Sequence, residues 1–267
     1  MSDLAWDIEA DMLVRVITPA SPSRGTMVWI HGLGEWSVSF DAIAQHPQLA
    51  EYTHVLPDLP GYGRSPWSQR AAEIVADAGG SVAALADHLA AWLALYDAPI
   101  LVGHSMGGVI ATLIAEQQPV RAVVNVDGNL TRGDCTFSAQ AAAHDLEAFR
   151  AHGFAAMRDA VFARGATEPA LRGYHAAMLA ANADMFHANA ADLVRVSSVD
   201  DLAPRFAALR VPALFVAGVP SGICEASRGR LDEVGARWTG VSPAGHWPFV
   251  DQRDAFATAV ADFLATV

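Results

Sequence analysis

Residues 103–107 read Gly-His-Ser-Met-Gly. The apolar run "PILVGH" (99–104) leads straight into them, and a helical pattern follows over 106–118. In that strand–turn–helix context, G-x-S-x-G is a sharp turn that holds a serine hydroxyl out at the end of a strand. The turn forces the serine into a strained backbone conformation, and its neighbours must be small for strand and helix to approach. The chemistry implied is nucleophilic attack by Ser105 Oγ, which needs a base for its proton and donors for the developing anion. A serine that only caps the helix is the other use of this residue type, and the full strand–turn–helix context speaks against it.

Ten histidines are available as the base. His88, His144, His152, His175 and His187 fall in helical segments. His246 differs, because it sits in "SPAGHWPFVDQRDAF", a Gly-His loop between the last strand candidate and the terminal helix. This loop resembles the catalytic-histidine loop of the α/β-hydrolase superfamily. So do "HGLGEW" (31–36) and "DLPGYGRS" (58–65) after the first two core strands. The resemblance runs from about 26 to 265, and only the segment 129–209 lacks matching motifs. It implies that His246 takes the proton from Ser105 and later returns it to the leaving group. It also implies an oxyanion hole made by the backbone amides of Met106, at the helix N-terminus, and Leu33, in the "HGLG" loop. His31 and Asp58 read as loop-shaping. Glu35 and Trp36 either line the pocket or lie on the surface of the same loop. Trp36 and Trp247 are the aromatic candidates for the substrate pocket. No cofactor and no metal are expected.

The third member of the triad departs from the family pattern. The acid usually follows the strand read here as "PALFVAG", yet the chain continues Gly218-Val219-Pro220-Ser221. Serine cannot supply the charge that orients a histidine and stabilises its imidazolium form. Asp127, at the end of "RAVVNVDGN", is the leading alternative. In some relatives, certain haloalkane dehalogenases and lactonases among them, the carboxylate occupies this position, and the order Ser105, Asp127, His246 remains the expected one. An ordinary turn residue is the other reading of Asp127, since Asp-Gly is a common turn pair. Glu225 and Asp232 are the rival acids, although both fall in the next helical segment.

These residues need a scaffold. Strand candidates are 26–31, 53–57, 99–104, 121–126, 212–218 and 237–243, and the first five are nearly continuous apolar runs, as strands covered on both faces should be. Helical patterns over 81–96, 106–118 and 251–265 alternate with them, which predicts a mostly parallel, doubly wound α/β sheet, the α/β-hydrolase fold. About 80 residues, from 129 to 209, separate two of the strands, far more than a crossover needs. Their alanine-rich stretches 138–152, 154–165, 169–195 and 199–209 predict a helical cap. The expected division is a core of 1–128 and 210–267 with the cap 129–209 inserted.

Composition bounds the function. Hydrophobic residues are 52% and charged residues 17%, so the chain can bury a large core. A net charge of −12 argues against nucleic acid or an anionic membrane as partner. Two cysteines without a CxxC pattern predict neither a disulfide framework nor a zinc site. An acidic N-terminal stretch and the lack of a membrane-length apolar run predict a cytoplasmic protein. The expected activity is a cofactor-free serine hydrolase that cleaves a small, mainly apolar ester or lactone through an acyl-enzyme. Carbon–carbon bond hydrolases, thioesterases and acyltransferases would use the same triad. Ser105 excludes the fold's dehalogenase and epoxide hydrolase chemistries, which need an aspartate nucleophile. A non-catalytic ligand-binding sensor is the reading from another class: Ser221 keeps it open, while Ser105, His246 and both anion-hole loops oppose it.

Overall fold

The computed structural model of the chain describes residues 3–267. Its sheet has eight strands: β1 (Asp3–Glu9), β2 (Met12–Thr18), β3 (Thr26–Ile30), β4 (Thr53–Pro57), β5 (Ile100–His104), β6 (Ala122–Val126), β7 (Ala213–Ser221) and β8 (Trp238–Gly245). They lie in the order β1-β2-β4-β3-β5-β6-β7-β8. Strands β3 to β8 are parallel, and β2 runs antiparallel to both β1 and β4. Strands β5 and β6, at the centre, are buried at every position, which is why they read as unbroken apolar runs.

The hairpin β1–β2 corrects the sequence reading, which has no strand before residue 26. Its two-residue connection is Ala10-Asp11, both with positive φ (48° and 61°). A turn of that hand is favoured in hairpins, but it is usually advertised by Asn-Gly or Asp-Gly, and here no glycine marks it. Leu4, Trp6 and Ile8 on the outer strand are exposed, so the apolar residues there do not follow a buried face.

Helices cover the sheet. Helix Met106–Gln117 packs on β5 and β6, Ser81–Leu93 packs beside it, and Arg253–Leu264 packs on β7 and β8. Val82, Leu85, Leu89 and Trp92 form the buried stripe of Ser81–Leu93, at the spacing that a single helical face demands.

Between β6 and β7 the chain is helical, with its longer helices at Phe137–Ala142, Phe154–Arg164, Pro169–Met178, Ala183–Ser197 and Leu202–Ala207. The stretch 169–195, uniform in its alanine content, is two helices rather than one. Asn182 breaks it: its side-chain oxygen accepts from the amides of Asp184 (2.9 Å) and Met185 (3.2 Å), which caps the second helix. The Phe and Met residues of this segment mostly pack helix on helix. Phe149, Phe154, Met178, Met185 and Phe186 are buried, with ring centroids of 5.0 to 5.8 Å between Phe186 and its two phenylalanine neighbours. Asp192 ties the segment to the rest of the fold, because its carboxylate accepts from the Val82 amide (2.8 Å) at the start of Ser81–Leu93. Among the described residues no helix is long and apolar enough to cross a membrane.

Candidate active site

Ser105 stands between β5 and helix Met106–Gln117 with φ 54° and ψ −121°. This is the strained geometry a nucleophile elbow requires, and it is anchored by the bond from the Ser105 amide to Val126 O (2.9 Å). The flanking glycines are there for space. A Cβ on Gly103 would lie 2.1 Å from Gly107 O, and one on Gly107 would lie 2.0 Å from Ile30 O. Strand, turn and helix therefore touch backbone to backbone. Asn125 locks the arrangement from β6, donating to Gly108 O (3.1 Å) and accepting from the Gly128 amide (2.9 Å).

The loop after β3 lies directly against the serine, since a Cβ on Gly32 would come within 2.9 Å of Ser105 Cβ. Loop-to-loop bonds shape it. His31 Nδ1 donates to Gly32 O (2.9 Å) and His31 Nε2 accepts from the Leu59 amide (2.9 Å), while Asp58 accepts from the amides of Ser37 (2.7 Å) and Arg64 (2.9 Å). Neither the Leu33 amide nor the Met106 amide has a hydrogen-bond partner among the described residues. Two free donors thus flank the serine, one of them at the first turn of a helix, where amides are unpaired and the dipole is positive.

Ser105, His246, Leu33 and Trp247 line one cavity of about 20 Å³, together with Glu35, His104, Asn129, Phe137, Ser138 and Tyr174. A second cavity of about 620 Å³ adjoins it on the His246 side, lined by Trp247, Thr136, Phe137, Gln140 and Arg164 among others. Trp36 lies elsewhere. It is half-buried before the short turn Ser37–Phe40, with the Arg64 guanidinium 5.9 Å over its ring, and lines neither cavity. That corrects its candidacy as a pocket residue: the loop turns its ring toward Arg64.

Asp127 follows β6 with φ 46°, a left-handed conformation that aspartate tolerates, and its side chain is fully buried. Its carboxylate accepts from the amides of Gly218 (3.1 Å) and Ile223 (3.2 Å), and its Oδ2 lies 3.9 Å from His246 Nδ1. Glu225 and Asp232 lie on the exposed face of helix Glu225–Glu233, and the Asp232 carboxylate accepts from Trp238 Nε1 (2.8 Å). Ser221 is exposed at the end of β7.

Sequence reasoning missed the buried pair behind this cavity. His104 Nδ1 contacts Glu35 Oε2 (2.9 Å) and His104 Nε2 contacts the His246 carbonyl oxygen (2.7 Å). Both partners are acceptors, so both ring nitrogens carry protons and His104 is a cation. Glu35 balances it, accepting as well from the Gly32 amide (2.8 Å) and from Trp247 Nε1. One carboxylate thereby joins the loop after β3, the serine turn and the histidine loop.

The protonation of these groups follows. Burial would raise Glu35, but the His104 charge and hydrogen bond, with the Gly32 and Trp247 N–H groups, outweigh it and hold the carboxyl at about 2. Burial would lower His104, and Glu35 overrides it, raising the imidazole. Burial pushes the Asp127 carboxyl up to about 8 against the pull of His104 and the two amides. Burial, aided by the nearby His104 charge, drives His246 down to about 3. At 3.9 Å and without a hydrogen bond between them, burial rather than mutual attraction sets the resting state of Asp127 and His246.

Among the described residues no group of three or more His, Cys, Asp or Glu side chains is gathered to hold a metal. The sheet order, the strained serine turn and the histidine loop are the features of an α/β hydrolase. The chain matches the alpha/beta hydrolase family over residues 27–259 and belongs to it. It is similar to lipase LipV of Mycobacterium tuberculosis, with 38% identity over 121 residues, 44% of this chain and 41% of that protein. It is also similar to the pimeloyl-[acyl-carrier protein] methyl ester esterase of Yersinia pseudotuberculosis, 37% identical over 109 residues, 39% of this chain and 36% of that one. The chain thus matches about two fifths of the length of these curated relatives. Among solved structures, MenH from S. aureus superposes with a TM-score of 0.75 at 17% identity, covering 95% of this chain and 98% of that one. The enol-lactonase from Burkholderia xenovorans LB400 gives 0.72 at 20% identity, covering 98% and 100%.

Proposed function

We propose that this protein is a serine hydrolase that cleaves a carboxylic ester or lactone through an acyl-enzyme, with Ser105 as nucleophile, His246 as base and Asp127 as acid. One observation carries the reading: a serine held in a strained elbow and a half-buried histidine line the same cavity, with a carboxylate 3.9 Å behind the histidine. The names of the relatives, an esterase, a lipase and an enol-lactonase, point to the same bond type.

In the acylation step Ser105 Oγ bonds to the carbonyl carbon and its proton passes to His246. The His246 nitrogen that faces Asp127 is Nδ1, which leaves Nε2 for the serine. The carbonyl electron pair moves onto oxygen, where the Leu33 and Met106 amides receive it. As the carbon–oxygen bond to the alcohol breaks, His246 returns the proton to that leaving oxygen. Water then repeats the sequence on the acyl-enzyme and releases the acid. Asp127 acts in its ionised form, stabilising the transient imidazolium across the short gap. The helices between β6 and β7 (within 129–209) roof the site over a core formed, among the described residues, by 3–128 and 210–267.

The test is turnover of nitrophenyl esters and simple lactones beside labelling with a serine-directed fluorophosphonate. Hydrolysis and labelling that both disappear in Ser105→Ala support the reading. A native protein that neither turns over nor labels defeats it and leaves a ligand-binding role.

A further inference from the structure

The cavity at Ser105 is small, and three polar side chains face it with oxygens that have no protein partner among the described residues. Tyr174, on helix Pro169–Met178, and Ser138, on helix Phe137–Ala142, are 4% and 3% exposed. Both line the cavity, and among the described residues neither hydroxyl has a hydrogen-bond partner. The Tyr174 hydroxyl lies beside the anion-hole loop, 3.0 Å from where a Cβ on Gly34 would stand. Asn129, 3% exposed, gives its amide nitrogen to Cys135 Sγ (3.6 Å) and leaves its side-chain oxygen without a partner on the same wall. Their oxygens are open to the cavity rather than sealed in the core, so a polar group of a ligand placed there can make the hydrogen bonds that water otherwise would. The phenylalanines Phe149, Phe154 and Phe186 of the helical segment pack on one another and do not line this cavity.

We infer that the acyl part of the substrate is short and carries its own oxygen, a hydroxyl or oxo group near the scissile carbonyl, held by Tyr174, Ser138 and Asn129. This deepens the serine hydrolase reading and rests on it. Size and direction both follow from the cavities. About 20 Å³ at Ser105 is little more than the space of one water, so the acyl group that suits the cavity as it stands is a short one. The leaving group takes its proton from His246, and the larger cavity of about 620 Å³ opens on the His246 side without reaching Ser105. The alcohol therefore goes outward and the acyl group inward. A hydroxyl suits the inner walls best, because it can accept a hydrogen bond from the Tyr174 hydroxyl and donate one to Asn129 Oδ1.

The experiment compares kcat/KM for nitrophenyl or methyl esters of matched length: lactate and glycolate against propionate, butyrate and octanoate. A single well-made hydrogen bond to a buried partner is worth about ten-fold and two are worth about a hundred-fold, so the native enzyme should favour the hydroxy esters by that margin. Tyr174→Phe and Ser138→Ala should each collapse the ratio of hydroxyacyl to plain acyl turnover by about ten-fold. Tyr174→Phe removes one oxygen only, and Ser138→Ala reads the same wall independently. Turnover of plain esters with no hydroxyl preference, or a preference that survives in both variants, overturns the inference while the hydrolase reading stands, and the hydroxyls are then simply hydrated. If no ester is turned over and fluorophosphonate fails to label Ser105, both fall together.

Discussion

Replacing Glu35 with glutamine tests the buried charge pair most directly. Glu35 is 1% exposed and accepts from Gly32 N–H, His104 Nδ1–H and Trp247 Nε1–H. Glutamine offers one acceptor oxygen and an amide that itself donates, so at least one of these donors is stranded, at a cost of about 1–3 kcal/mol. The loss of charge opposite His104 adds to this, and breaking a buried pair from one side costs roughly 3–5 kcal/mol. Linkage gives a second route to the size. A carboxyl held at about 2 rather than the ordinary 4.5 is worth about 3 kcal/mol at neutral pH. The sign is fixed: the folded value is depressed, so this stability is fully present above 4.5 and drains away as pH falls toward 2. Urea unfolding of native protein and Glu35→Gln should therefore show a gap of about 3 kcal/mol at pH 7, within what a domain of 5–15 kcal/mol can lose and stay folded. The gap should narrow as the pH drops from 4.5 toward 2, because the unfolded carboxyl takes up a proton in that range while the folded one stays ionised, and the native advantage drains away. A gap under about 1 kcal/mol at pH 7, or one that does not change with pH, would refute the ion-pair account of His104.

Other predictions follow from the same geometry. Asp127→Asn should lower kcat by about 10³- to 10⁴-fold, since the amide cannot stabilise an imidazolium; steady-state turnover of a nitrophenyl ester within ten-fold of native would return the acid's role to Glu225 or Asp232. The ascending limb of kcat/KM against pH should lie near 8, because Asp127 must first lose its proton while His246 stays neutral down to about 3; a limb at or below 6.5 contradicts this. Gly107→Ala should lose activity and at least about 3 kcal/mol in denaturant unfolding, because its methyl would overlap Ile30 O, and a native-like variant would show that the elbow can relax. Ser221→Ala, at an exposed position, should remain within about three-fold of native turnover.

Legibility in the sequence tracked how local each feature is. The serine turn and the histidine loop are short, contiguous signatures, and the central strands are apolar runs whose length and burial go together. The pair of Glu35 and His104 joins residues 69 apart, and each alone looks like an ordinary loop or elbow residue. Tyr174 and Ser138 sit on amphipathic helices whose pattern is the same whether a face meets a core or a cavity. The β1–β2 hairpin hid for a different reason: its turn uses Ala10 and Asp11 where the expected signal is a glycine.

The proposed acid leaves a second trace in the sequence, around position 221. Two glycines bracket the place where the usual acid would stand, Gly218 and Gly222. A Cβ on Gly222 would come within 2.3 Å of Asp127 Oδ2, and one on Gly218 within 3.0 Å of the same atom. Their bare backbones make the hollow that the Asp127 carboxylate fills from the neighbouring strand. The Gly218 amide and the Ile223 amide, just after Gly222, then satisfy it. A carboxylate at residue 221 and one at residue 127 would compete for the same hollow behind His246, and two negative charges that close are unfavourable. Serine at 221 and glycine at 222 are thus the counterpart of aspartate at 127. Ser221→Asp in the native background should raise no activity, whereas Gly222→Ala, which crowds Asp127 without removing it, should cut kcat sharply. Equal activity in Gly222→Ala would separate Asp127 from the catalytic machinery.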